Sequence, residues 1–166
     1  MGLISFIKEA GEKLFGKGEA KAAQEAAERE ASAANLERLN RTAGDAIATY
    51  IGAMGLKVDS LDVGFDGTTG TVTVSGVAAD QATKEKVVLC CGNVERVSQV
   101  SDLMTVATPA DESKYYTVVK GDNLSKISKE FYGTPNKYPQ IFEANKPMLT
   151  HPDKIYPGQL LRIPPA

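Results

Sequence analysis

The stretch LDVGFDGTTGTVTVSG, residues 61–76, constrains the fold most. Leu61, Val63 and Phe65 alternate with polar or small neighbours, DGTTG at 66–70 has turn chemistry, and Val72 and Val74 resume the alternation. Successive strand side chains point to opposite faces, so this is a β-hairpin with one apolar face that another layer must cover. The flanking segments supply that layer. Ile47, Ile51 and Met54 recur at helical spacing before the hairpin, behind an N-cap expected at TAGD (42–45) and ahead of Gly55. After it, DQATKEKVVLCC (80–91) predicts a helix opened by Asp80 and stopped by Gly92–Asn93, and VERVSQVSDLMTV (94–106) predicts a returning strand. The unit is therefore α-β-β-α-β over 42–106, with one sheet face covered.

ATPADES at 107–113 has linker composition. Beyond it, residues 114–166 read as β-α-α-β. YYTVV is a strand, and in GDNLSKISKEFYG a turn and cap at Gly121–Asp122 precede a helix with Leu124, Ile127 and Phe131 inward. NKYPQIFEANKP is a second helix followed by Asn145 and closed by Pro147, and YPGQLLRIP is a turn and a final strand. The fold class is α+β, in two small domains. Upstream, Leu3, Ile7, Ala10 and Leu14 lie at helical spacing, which predicts a short amphipathic segment over 1–15, broken at Gly11 and packed on the first domain. Residues 16–41, rich in Ala and Glu, read as a solvated helix or a partly ordered spacer.

Charge is unevenly distributed. Residues 114–166 carry eight Lys and Arg against four acids, and the rest of the chain carries eleven against seventeen. Opposite signs favour contact between the halves, although two unrelated modules with different surfaces would give the same numbers. Neither half is basic enough to suggest nucleic acid. Lys8 and Glu9 interrupt the early apolar run, which argues against a secretory leader, and no stretch approaches the ~20 apolar residues of a membrane span. Gly2 fits a myristoylation pattern that then wants Ser or Thr where this chain has Phe6. Adjacent Cys90 and Cys91 in an apolar run read as buried reduced thiols rather than a structural disulfide. These features suit a cytoplasmic monomer. His151, beside Pro152, has no evident nucleophile or carboxylate partner. No phosphate loop, zinc spacing or nucleophile elbow is present, so an enzyme is not expected.

YTVVKGDNLSKISKEFYG (116–133), IFEANK (141–146) and PDKIYPGQLLRIP (152–164) resemble a LysM domain. GTVTVSGVAADQATKEKVV (70–88) with GNVERVSQVSDLMTV (92–106) resembles a BON domain. BON followed by LysM, behind GLxxFxKxAGEKL, is similar to the small bacterial cytoplasmic potassium-binding proteins of BON–LysM architecture. One departure is Arg96, where the family usually carries a small residue, often Gly; a positive φ there would cost this chain energy.

The resemblance implies a K+ site made of main-chain oxygens from the N-terminal segment and the BON helix–strand loop: Ile7, Ala10 and Glu12 with Gly92, Val94 and Val97. Such a site is physically reasonable. Potassium needs converging oxygen dipoles without the anionic field that favours divalent ions, and the last carbonyls of a helix lack intrahelical partners. Two expected helix ends, at Gly11 and at Gly92–Asn93, offer such carbonyls; an ordinary capping helix would present the same sequence. Ion binding would order the N-terminal segment and dock the two halves, as in a potassium sensor or buffer. Discrimination among K+, Rb+, Cs+ and NH4+ is not written in the sequence. The alternative is an N-acetylglucosamine or peptidoglycan module, whose LysM groove would lie between Gly121–Leu124 and Ile155–Gly158. A phospholipid-associated role, which the occurrence of BON domains in envelope proteins would suggest, fits the acidic BON half and the absence of a recognisable leader poorly.

Overall fold

A computed structural model describes residues 2–5 and 33–166. Strand β1 (Gly2–Ser5) precedes helix α1 (Ala33–Ala53), the hairpin β2 (Val58–Asp66) and β3 (Thr71–Asp80), helix α2 (Gln81–Gly92), and strands β4 (Gln99–Asp102) and β5 (Thr105–Thr108). Among the described residues these strands form one sheet in the order β1-β4-β3-β2, with β5 also on β3. β2 and β3 are antiparallel, and β4 and β5 run parallel to β3 one after the other. The hairpin alternation is real: Val72 and Val74 are fully buried and Phe65 nearly so, against Ala43, Ile47 and Ile51 of α1.

Three local expectations change. Residues 3–5 are not helical; Gly2–Ser5 pairs antiparallel with Asp102–Gln99 and occupies an edge that β4 would otherwise leave open. No helix starts at Thr42, because α1 runs unbroken from Ala33 and the Thr42 hydroxyl donates back to the Arg38 carbonyl. Residues 94–106 are not one strand either. The chain loops to Ser98, and β4 and β5 are separated where the Asp102 carboxylate accepts from the Met104 amide and turns Met104 into the core.

The second unit comprises β6 (Lys114–Thr117), α3 (Leu124–Tyr132), a 3-10 turn, α4 (Tyr138–Ala144) and β7 (Leu160–Ile163), with β6 and β7 antiparallel. Asn123, not Gly121–Asp122, caps α3 by accepting from the Lys126 amide at 2.8 Å. Asp122 instead braces the preceding turn, accepting from the Val119 amide and the Tyr116 hydroxyl.

The two units share a boundary built on α2. Val87, Val88, Leu89, Cys90 and Cys91 are all buried, which places apolar side chains all round the C-terminal half of the helix. A helix apolar all round must be covered on every side, and α2 packs on α1 and the sheet and also on β7. Tyr115, Met148 and Leu160 of the second unit join the core of the first. Cys90 and Cys91 are buried and unbridged, and burial pushes the Cys90 thiol up to about 12.

At this boundary the buried Glu85 carboxylate meets the Arg162 side chain of β7. Glu85 also accepts from the Ser113 amide at 2.8 Å and from the Gln81 side chain at 2.9 Å. Burial alone raises the Glu85 pKa, but the hydrogen bonds from Ser113, Gln81 and Arg162 more than offset it, so the carboxyl lies below its ordinary value. A depressed folded-state pKa contributes stability above the unfolded value of about 4.3, and that contribution is lost as pH falls through the folded value. The melting temperature should therefore fall below about pH 4.3 more steeply in the unmutated chain than in Glu85→Gln. At neutral pH, Glu85→Gln should cost about 3–5 kcal/mol in denaturant titration, because it leaves Arg162 buried and uncompensated.

Candidate functional site

The loop from Gly92 to Ser98 joins α2 to β4. Its first turn continues the helix end: the Asn93 amide donates to the Leu89 carbonyl at 3.0 Å and the Val94 amide to the Cys91 carbonyl at 3.2 Å. Val94 and Val97 bury their side chains in the core, while Glu95 and Arg96 form the more exposed tip. The Val94 carbonyl accepts from the Val97 amide at a long 3.3 Å. The loop therefore anchors by its side chains and turns its main chain at the end of a helix, where the dipole is negative.

Arg96 has φ +67°, in the left-handed region. The position does require the conformation that Gly adopts freely, and Arg96 holds it at a cost. On the opposite side stands Gly70, φ +68°, whose carbonyl accepts from the amides of Ser98 and Gln99 at 2.8 and 3.2 Å. A Cβ on Gly70 would lie 2.8 Å from the Arg96 carbonyl oxygen, so only glycine lets the hairpin turn approach the loop so closely. The Ser98 hydroxyl adds a bond to the Thr69 carbonyl.

The candidate residues Gly92, Val94 and Val97 are thus on one short, well-braced loop. Ile7, Ala10 and Glu12, and the break at Gly11, lie outside the described residues. The described strand before them ends at Ser5, which pairs with Gln99, the residue that follows the loop.

One residue escaped sequence reasoning. Asn93 reads as a helix stop, yet its side chain crosses to the second unit. Its Oδ1 accepts from the Leu160 amide at 2.9 Å and its Nδ2 donates to the Leu160 carbonyl at 3.0 Å. No spacing signal marks such a contact 67 residues away.

In the second unit, a groove of about 370 Å³ is lined by Asn123, Leu124, Ser125, Tyr138, Pro152 and Asp153. It takes in the end of the Gly121–Leu124 turn, but its other wall is Pro152–Asp153 rather than Ile155–Gly158. Ile155 packs on the core, and the Gly158 amide donates to the Val118 carbonyl. His151 lies in an exposed turn, its Nδ1 accepting from the Asp153 amide. No helix among the described residues is long and apolar enough to cross a membrane.

Because Arg96 occupies the left-handed region, Arg96→Val should be less stable than Arg96→Gly by about 1–2 kcal/mol in denaturant titration. Both variants lose the arginine side chain, so the comparison isolates the backbone; equal stabilities would mean that the loop relaxes out of this conformation.

A BON domain family model matches residues 45–108, and a LysM domain family model matches residues 116–164. The chain is 44% identical over 164 residues, 99% of either chain, to a protein of Escherichia coli O6:H1 named potassium binding protein Kbp. Shorter similarities link it to an uncharacterized protein of Deinococcus radiodurans, at 49% over 30% of this chain and 19% of that one, and to the uncharacterized protein YqbP of Bacillus subtilis, at 38% over 31% of this chain and 27% of that one. With BON followed by LysM and near-complete coverage of the Escherichia coli relative, this chain belongs to the Kbp family of BON–LysM proteins.

Proposed function

We propose that this protein binds potassium, without catalysis, at main-chain oxygens contributed by Ile7, Ala10 and Glu12 of the N-terminal segment and by Gly92, Val94 and Val97 of the α2–β4 loop. The observation that carries this reading is the pairing of Ser5 with Gln99, which ends the described N-terminal strand beside that loop. The name of the Escherichia coli relative points to the same ion. A main-chain site selects by spacing and by the number of dipoles rather than by charge, which suits a large monovalent cation such as K+, Rb+, Cs+ or NH4+ better than a compact divalent one.

The protein would act as a cytoplasmic, monomeric potassium sensor or buffer. Its BON unit, 42–106, and its LysM unit, 114–166, would dock more firmly when the ion orders the N-terminal segment. Calorimetric titration of dialysed protein with KCl should give saturable heat that matched NaCl does not, and deletion of residues 1–12 should abolish it. Equal heats with both salts, or potassium binding that survives the deletion, would contradict the site.

A second reading is favoured by the LysM groove, where the exposed ring of Tyr138 is available for stacking on a sugar face. Glycan binding there predicts retention of the protein on insoluble peptidoglycan and release by Tyr138→Ala, with potassium binding unaffected. No retention would dismiss it.

A further inference from the structure

The two-stranded sheet β6–β7 has a free edge on β7. Leu161 and Ile163 alternate with Leu160 and Arg162, and the latter two direct their amides and carbonyls away from β6. Two asparagines take those groups. Asn145, after α4, accepts from the Arg162 amide and donates to the Arg162 carbonyl, both at 2.8 Å. Asn93 makes the same pair of bonds to Leu160, at 2.9 and 3.0 Å. A primary amide presents one donor and one acceptor side by side, so each asparagine imitates a residue of a missing third strand. Asn145 does this from within the LysM unit. Asn93 does it from the BON unit, and from between two of the proposed ligands, Gly92 and Val94.

We propose that Asn93 is a positioning residue through which strand β7 of the LysM unit sets the geometry of the cation loop, so that potassium affinity depends on a strand that does not touch the ion. This rests on the cation reading above. The Gly92 carbonyl belongs to the peptide unit that ends at the Asn93 nitrogen, so its direction follows the placement of the Asn93 Cα. That atom is held by the two side-chain hydrogen bonds to Leu160 and by the hydrogen bond that the Asn93 main-chain amide donates to the Leu89 carbonyl. Asn93 is 4% and Leu160 3% exposed, so water does not replace a bond that is lost, and an unpaired Leu160 amide would disfavour the docked arrangement. By linkage, whatever the Asn93–Leu160 bonds contribute to potassium binding, potassium returns to those bonds.

The test uses the full chain and KCl, with NaCl as the matched salt. Calorimetry on Asn93→Ala should show potassium affinity reduced about tenfold. Asn145→Ala, which removes the equivalent bonds at Arg162 but leaves the Asn93–Leu160 bonds in place, should bind potassium like the unmutated protein. Amide hydrogen exchange gives a readout that general stability does not move. In the unmutated chain, potassium should slow exchange of the Leu160 amide more than that of the Ile127 amide in α3, and in Asn93→Ala this preference should vanish. Unchanged affinity in Asn93→Ala would overturn the proposal, as would an equal loss in Asn145→Ala. If Asn93→Ala does not fold, the exchange measurement on the unmutated chain decides alone, and no preferential effect at Leu160 overturns it. A chain that binds potassium no better than sodium would overturn the functional reading itself.

Discussion

The outer edge of β7 organises this protein. A two-stranded sheet leaves backbone groups unpaired on both sides, and a buried unpaired amide or carbonyl is costly. Here the side of β7 away from β6 is finished by Asn93 and Asn145 in place of a strand, and the adjoining Arg162 side chain is neutralised by Glu85. Two of these three partners, Asn93 and Glu85, come from α2 and its C-terminal cap in the BON unit. The LysM sheet is thus complete only with the other unit against it, and the boundary is specified by paired hydrogen bonds rather than by apolar contact alone.

That arrangement explains why the C-terminal half of α2 has no polar face. Val87 through Cys91 are covered by the five-stranded sheet and α1 on one side and by β7 on the other. Its charged groups are handled individually. Glu85 is paired across the boundary, while Lys84 reaches the Asp102 carboxylate at 3.4 Å. The loop that follows inherits the rigidity of both surroundings: Val94 and Val97 are sunk in the core, Gly70 bonds to its far end, and Asn93 ties its near end to Leu160. A segment held at so many points can keep its carbonyls at fixed spacing, which main-chain selectivity requires.

The hairpin was legible because Val63, Phe65, Val72 and Val74 follow the two-residue period of a strand across an unambiguous turn. The left-handed position at Arg96 was also legible, through the BON resemblance. Other features were not. Leu3, Ile4 and Ser5 are too few to distinguish a helix from a strand by periodicity, and only the open edge of β4 decides. Thr42 imitates an N-cap, but the helix-favouring residues before it carry α1 straight through. VVLCC could have been read as a helix covered on two sides, which would have anticipated the boundary with β7. Asn93 carried no such signal, since a helix-ending asparagine is common and its partner is distant in sequence.

The most direct measurement is anomalous diffraction from crystals grown with Rb+ or Tl+ in place of K+, which locates the ion without reference to any variant. The account predicts one strong peak bounded by the carbonyl oxygens of Gly92, Val94 and Val97, with the Asn93–Leu160 bonds intact beside it. A peak at side-chain carboxylates elsewhere, or a loop whose carbonyls face away from any bound ion, would contradict it.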